Sequence, residues 1–199
     1  MHIHLPGAFS LQNAVAATTL ARAFGINSRF ITQGLANLKS ILGRAERIDV
    51  GQSFAVIVDY AHTPDSLKAI YGAYPDRRRI CVLGSTGGGR DTWKRPVMGR
   101  IADEACDHVI LTNEDPYDEE PRSIVEMIAR GLEKHTPEIV MDRREAMRRA
   151  FSIANTGDAV LITGKGTDPC ICGPRGSKIP WSDAGVAREE LQTLLKKLA

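Results

Sequence analysis

Four short stretches carry the residues whose types and spacing could do chemistry: Asp59-Tyr60-Ala61-His62-Thr63-Pro64, Gly84 to Arg95, Thr112-Asn113-Glu114-Asp115-Pro116-Tyr117, and Gly164-Lys165-Gly166-Thr167-Asp168. In the second, three consecutive glycines (Gly87, Gly88, Gly89) let the backbone approach a ligand, and Arg90, Lys94 and Arg95 place positive charge beside their amides. An anion is the expected guest. The paired carboxylates Glu114 and Asp115, with Asp118, Glu119 and Glu120 following, suit a cation or an ammonium group. Each stretch also has a plain structural reading. Asp59 can form a strand-end turn, His62 can sit in a helix's first turn, the acidic run can be a solvated loop, and Lys165 can pair with a carboxylate and do nothing else. A G-x-G such as Gly164-Lys165-Gly166 is weak alone.

The elements that must position these residues follow from the hydrophobic pattern. Apolar runs with little polar alternation read as strands at 53–59, 79–84, 108–112, 138–141 and 159–163. Helical patterns fill 64–74, 92–105, 121–134, 143–154 and 183–198, with Pro64 in a first turn and Asp142 as a cap, and 168–181 reads as a hairpin or loop. Strands alternating with helices in this way give a Rossmann-like α/β domain from Glu46 to the C-terminus. Its mostly parallel sheet carries helices on both faces. In such a sheet ligands bind beyond the carboxyl ends of the strands, and all four stretches fall there. Residues 1–45 differ: a strand stub around His2 and His4, a helix at 11–24 capped by Ser10, and a second at 28–39 form a small, mostly helical segment that cannot close a core alone.

Composition is that of an ordinary globular chain of 199 residues, 43% hydrophobic and 25% charged. No apolar run approaches the roughly 20 residues that span a bilayer, and the N-terminus lacks the pattern of a secretory signal, so a cytoplasmic location with no membrane contact is expected. A net charge of +2 without a basic, aromatic-interleaved stripe gives no sign of nucleic acid binding. The four cysteines, Cys81, Cys106, Cys170 and Cys172, show no disulfide framework, so reduced thiols are expected, and no metal site is assigned.

At these residues the chain resembles the Mur ligase family, and within it the tripeptide-synthetase (MurE) type. The matching segments are LPGAFSLQNAVAA (5–17), GRAERID (43–49), VIVDYAHTPDSL (56–67), GRDTWKRPVMG (89–99), TNEDPYDEEP (112–121), DRREAMRRA (142–150), GKGTD (164–168) and WSDAGVAREEL (181–191). The resemblance implies that 1–45 is the end of a central ATPase domain and 46–199 a C-terminal Rossmann-like domain. The N-terminal domain and the rest of the central domain would be missing partners. It implies an ATP-dependent carbon–nitrogen ligase of peptidoglycan synthesis, acting on UDP-N-acetylmuramoyl-dipeptide: a carboxylate becomes an acyl phosphate, an amino acid's amine attacks, and phosphate leaves. ATP and Mg2+ would be the cofactors, with the Mg2+ ligands outside this chain. No G-x-x-x-x-G-K-[ST] phosphate loop occurs in the sequence, so the fragment alone is expected to be inactive and no catalytic residue is assigned within it.

Carried over by the resemblance, Asn13, Arg44, Asp59 and His62 would bind ATP. In the pattern G-x-H-N-x-x-N only Gly7 and Asn13 match, since Phe9 and Ser10 depart from it. Arg90, Glu114, Asp115, Pro116, Tyr117, Gly164, Lys165 and Asp168 would bind the amino acid, with Arg90 on its α-carboxylate. Diaminopimelate-adding members carry D-N-P-R where this chain has Glu114-Asp115-Pro116-Tyr117, and Asp168 replaces the usual glutamate. A basic amino acid such as L-lysine or L-ornithine is therefore expected, unless Arg175 or Lys178 replaces the missing arginine. Two alternatives are a folylpolyglutamate-synthase-like ligase domain and a non-catalytic module binding a nucleotide or phosphate at the glycine loop.

Overall fold

The computed structural model describes residues 3–89 and 91–198. Its centre is a six-stranded sheet in the order β1-β2-β6-β3-β4-β5, built from β1 (Glu46–Ile48), β2 (Ala55–Asp59), β3 (Arg79–Leu83), β4 (His108–Leu111), β5 (Glu138–Ile139) and β6 (Ala159–Thr163). All neighbours pair in parallel except β1, which lies antiparallel to β2 with Glu46 opposite Val58. Every residue of β2 and of β6 is buried, which explains why these runs lack polar alternation.

Successive side chains of a strand point to opposite faces, and here each face has its own core. Ile57, Cys81, Leu83 and Leu161 pack with Leu67, Ile70 and Tyr71 of α3 (Pro64–Gly72), Met98 and Ile101 of α4 (Lys94–Ala105), and Val125 and Ile128 of α5 (Pro121–Ala129). Val56, Val58, Ile80, Val82, Val160 and Ile162 pack against α6 (Arg143–Ser152) and α7 (Asp183–Leu198) on the other side. The helix starts are written in the loops that follow strands. Thr63 and Ser66 form a capping box around Pro64, Glu120 accepts from the Arg122 amide, and Asp142 accepts from the Glu145 amide.

The chain before the sheet forms α1 (Ala8–Ala23) and α2 (Ser28–Asn37). Only Ser10 and Ala14 of α1 are buried and no residue of α2 is, while Leu11, Val15, Leu20, Phe24 and Phe30 stand exposed. Three expectations need correction here. Ser10 is not the cap of α1: Gly7 holds that position, and the Ser10 hydroxyl donates back to the Pro6 carbonyl from inside the helix. The stub around His4 is not a strand, and His4 instead lies 2.9 Å from the Lys39 amine, while His2 lies outside the described residues. Helix α5 ends at Ala129 rather than 134, because the Asp103 carboxylate of α4 captures the amides of Glu133, Lys134 and His135.

The expectation of four reduced thiols is also corrected. Cys81 and Cys106 are joined by a disulfide, with Cα atoms 6.2 Å apart. Cys81 faces the side of the sheet covered by α4, and Cys106 is the residue that ends α4, so the crossover returns one cysteine over the other. Cys170 and Cys172 are free. No described helix is long and apolar enough to cross a membrane.

Candidate functional site

Beyond the carboxyl ends of the strands the loops enclose a cavity of about 310 Å3. It lies where connections leave the sheet for opposite faces: α4 after β3 on one side, and on the other a hairpin of β7 (Cys170–Cys172) and β8 (Lys178–Pro180) leading to α7. All four strand-end stretches contribute to its lining: Tyr60 and His62; Thr86, Gly87, Asp91 and Lys94; Glu114, Asp115 and Tyr117; Gly164 and Asp168.

The wall formed by Glu114, Asp115, Tyr117, Gly164 and Asp168 is acidic and held from behind. The Lys165 ammonium, buried, lies 2.8 and 2.7 Å from the two carboxylate oxygens of Asp115 and 3.4 Å from Asp168. Burial alone would favour its neutral form, but Asp115, Asp168 and Glu114 outweigh that and hold its pKa above the ordinary lysine value. Glu114 is buried too. Thr86 donates to its Oε1 at 2.7 Å, whereas Oε2 has no hydrogen-bond partner. Desolvation pushes the Glu114 pKa up, against the opposing pull of Arg143 and the Thr86 hydroxyl.

Close approach of other groups fixes two glycines that line the cavity, Gly164 and Gly87. Gly164 has φ +113°, and a Cβ there would lie 2.3 Å from the Glu114 Oε2, so the carboxylate occupies the space a side chain would need. A Cβ on Gly87 would meet the Pro116 carbonyl at 2.2 Å. Behind both loops Arg143, fully buried, donates from Nε and Nη2 to the two oxygens of Asp183 at 2.8 and 2.6 Å and from Nη2 to the Thr163 carbonyl at 2.8 Å. That pair ties the starts of α6 and α7 to the end of β6.

Two of the glycine loop's amides and one of its expected cations already have partners within the protein. The Gly87 amide donates to the Asp115 carbonyl and the Gly89 amide to Glu119 Oε2. Arg95 is buried, with Nη2 2.8 Å from Glu119 Oε2 and 3.2 Å from the Thr86 carbonyl. Glu119 thus occupies the Gly89 amide and the Arg95 guanidinium. Lys94 remains on the cavity wall, and Arg90 lies outside the described residues.

A second cavity, of about 350 Å3, is lined by Leu5, Phe9, Ile41 and Ile70 with the polar groups of Ser10, Asn13, Arg44, Asp59 and Ser66. Asp59 accepts from the Ala45 amide at 2.6 Å and the Ala61 amide at 2.7 Å. Its burial nevertheless keeps its pKa above the usual aspartate value. Tyr60 stands between the two cavities: the Arg44 guanidinium lies 4.4 Å from its ring centre, and the His62 ring packs edge-on at 4.7 Å. The His62 Nδ1 is 2.8 Å from the Tyr60 carbonyl, which leaves Nε2 for other partners.

The structure therefore divides the expected residues. Asn13, Arg44 and Asp59 share the second cavity, while His62 joins Glu114, Asp115, Tyr117, Gly164 and Asp168 in the first. Pro116 and Lys165 stand behind the wall rather than on it, and neither Arg175 nor Lys178 lines either cavity. Sequence reasoning passed over Tyr60 and Thr86. Tyr60 sits between Asp59 and His62 in one motif, and Thr86 directly precedes Gly87 in the glycine stretch, the signals that could have marked them.

Residues 43–166 match the family model of the Mur ligase, glutamate ligase domain. The chain belongs to the Mur ligase family. Relatives of this Mur ligase chain include the UDP-N-acetylmuramoyl-L-alanyl-D-glutamate--2,6-diaminopimelate ligase of Syntrophomonas wolfei, 45% identical over 172 residues that cover 83% of this chain and 35% of that protein. The UDP-N-acetylmuramyl-tripeptide synthetase of Roseiflexus sp. is 39% identical over 201 residues, covering 96% and 39%. The Mur ligase chain thus spans well under half the length of these relatives. Among solved structures, a UDP-N-acetylmuramoyl-L-alanyl-D-glutamate--2,6-diaminopimelate ligase superposes with a TM-score of 0.74 at 28% identity, over 98% of this chain and 40% of that one. A folylpolyglutamate synthase of Mycobacterium tuberculosis, complexed with ADP and AMPPCP, has a TM-score of 0.64 at 19% identity over 97% and 41%, a likeness of fold alone.

Proposed function

We propose that this Mur ligase chain is the amino-acid-delivering part of an ATP-dependent carbon–nitrogen ligase of peptidoglycan synthesis, which adds the third residue to UDP-N-acetylmuramoyl-dipeptide, and that this residue is basic, such as L-lysine or L-ornithine. The observation that carries the specificity is the wall of the first cavity. Tyr117 stands on it beside Glu114, Asp115 and Asp168, three carboxylates against the one ammonium of Lys165 behind them. Such a wall attracts a side-chain ammonium and gives a distal carboxylate no cation. The α-carboxylate belongs on the opposite side, toward Lys94 and Arg90, with the α-amine as nucleophile. Lys165 acts by holding Asp115 in place rather than by touching the amino acid.

ATP fits the second cavity by its chemistry. Leu5, Phe9, Ile41 and Ile70 offer apolar walls to a base, Asn13 a hydrogen-bonding amide, Asp59 its remaining lone pairs to ribose hydroxyls, and Arg44 a cation to phosphate. The phosphates would run past Tyr60 toward His62, which brings the two cavities into one reaction path. Mg2+ ligands lie outside this chain in this reading. Residues 1–45 are the end of a central ATPase domain, consistent with the exposed apolar face of α1 and α2 and with the greater length of the relatives.

Calorimetric titration of the chain with L-lysine, L-ornithine and meso-diaminopimelate tests the specificity directly. Tighter binding of lysine or ornithine is expected, and preference for diaminopimelate overturns it.

A further inference from the structure

Residues two apart in a strand point to the same face, and in β7 those residues are Cys170 and Cys172. Their sulfurs stand 3.8 Å apart, as free thiols at half-buried positions. The main chain of this hairpin carries part of the first cavity's wall. The Cys172 amide donates to Asp115 Oδ1 at 2.8 Å, the Cys172 carbonyl accepts from the Tyr117 amide at 3.0 Å, and the Arg175 amide donates to Asp118 Oδ1 at 2.7 Å.

We propose that Cys170 and Cys172 are a thiol–disulfide exchange site, at which a low-molecular-weight disulfide closes a Cys170–Cys172 bond and detaches the wall residues Asp115 and Tyr117 from the hairpin. One cysteine thiolate attacks the small disulfide RSSR, forming a mixed disulfide and releasing one RS−. The second cysteine, already in van der Waals reach, loses its proton and attacks the protein-side sulfur, releasing the second RS−. Two protein thiols are oxidised, one small disulfide is reduced to two thiols, and the departing protons end on RS− or solvent.

The coupling to the wall is geometric. Same-face positions two residues apart in an extended strand are about 6.6 Å apart, whereas the Cβ atoms of a disulfide lie about 3.5 to 4.5 Å apart and the sulfurs must close to about 2.0 Å. Bonding therefore shortens and bends β7, and the Cys172 amide and carbonyl move with it. The Cys81–Cys106 disulfide is buried under α4 and takes no part. The inference holds whatever ligand the cavity takes, so it stands or falls apart from the proposed ligase activity.

The test is incubation of the chain with oxidised glutathione, followed by peptide mapping and amide hydrogen exchange by NMR. The expected product is an intramolecular Cys170–Cys172 bond with no glutathione retained, with exchange at Tyr117 and Cys172 faster by about tenfold or more and restored by mild reduction. Cys170→Ser should instead retain glutathione on Cys172 and keep slow exchange at both amides. Persistence of a glutathione adduct on the unaltered chain overturns the proposal, and so does a closed disulfide that leaves exchange at Tyr117 unchanged.

Discussion

Lys165 and Asp115 lie fifty positions apart in sequence, yet the ammonium sits within 2.8 Å of both carboxylate oxygens, and both side chains are buried. A second anchor, the Cys172 amide, holds the same carboxylate at 2.8 Å. Removing one member of such a pair leaves the other charge buried without compensation, unlike the loss of a surface ion pair. Lys165→Met should therefore lower stability by about 3–5 kcal/mol, measured by urea unfolding. A loss below about 1 kcal/mol would mean that the pair behaves as an exposed one.

Gly164 meets two constraints at once, a left-handed backbone and the Glu114 carboxylate where a Cβ would go. Gly157 has φ +90° and open space around it, so it meets only the first. Gly164→Ala should cost about 1–3 kcal/mol more than Gly157→Ala in thermal or urea unfolding, because overpacking adds to the backbone strain both share. Equal losses would show that Glu114 swings aside freely.

Asp103 places a depressed carboxylate pKa outside the cavities. Burial would raise it, but the amides of Lys134, Glu133 and His135 and the His135 ring outweigh that and hold it at about 2, below the unperturbed value of 3.8. The folded form thus binds its proton less readily than the unfolded form. The stability contributed by Asp103 is fully present above about pH 4 and is lost as pH falls toward about 2. Asp103→Asn should flatten the acid limb of the stability curve in that window, and an unchanged limb would remove Asp103 from the acid response.

Much of this arrangement is legible in the sequence because it is local. Unbroken apolar runs such as 55–59 and 159–163 show strands covered on both faces, and Pro64, Pro121 and Asp142 mark helix starts. The collinear motifs mark the family. What sequence does not carry is which charges find each other across long separations. Arg95 and Glu119 read as a free cation and an acidic-loop residue, and only the fold brings them together to close the glycine loop. Cys81 and Cys106 have no local signal for their bond. Strand β1 is three residues long with a polar first residue, Glu46, whose burial depends on Arg188 of α7 and the Gly43 amide. The separation of Asp59 from His62 into different cavities likewise depends on where Tyr60 points.

Arg44, Asn13 and Asp59 make the second cavity testable by itself. With the proposed nucleotide, Asp59→Ala should weaken ATP binding by removing a charge-assisted hydrogen bond worth roughly 1.5–3 kcal/mol, a loss of about tenfold to a hundredfold in affinity. The same variant frees the Ala45 and Ala61 amides, so a melting curve must accompany the titration. A collapsed melting temperature with normal residual ATP affinity would make Asp59 a structural residue only.

Glu114 links the amino acid to pH. Its pKa is raised by burial, and its Oε2 faces no hydrogen-bond donor, so Glu114 holds a proton more readily in the chain without ligand than an ordinary glutamate does. An incoming side-chain ammonium would favour the ionised form, and at any pH where Glu114 is protonated in the free chain binding would then release that proton. The sign follows: affinity for L-lysine should rise with pH through the raised Glu114 range, then level off once the group is ionised before ligand arrives. Glu114→Gln removes the titrating group and should leave weaker binding without that slope. Calorimetry in two buffers of different ionisation enthalpy counts the proton directly. Lysine affinity that is flat with pH, with no proton released, would show that the ammonium does not reach Glu114.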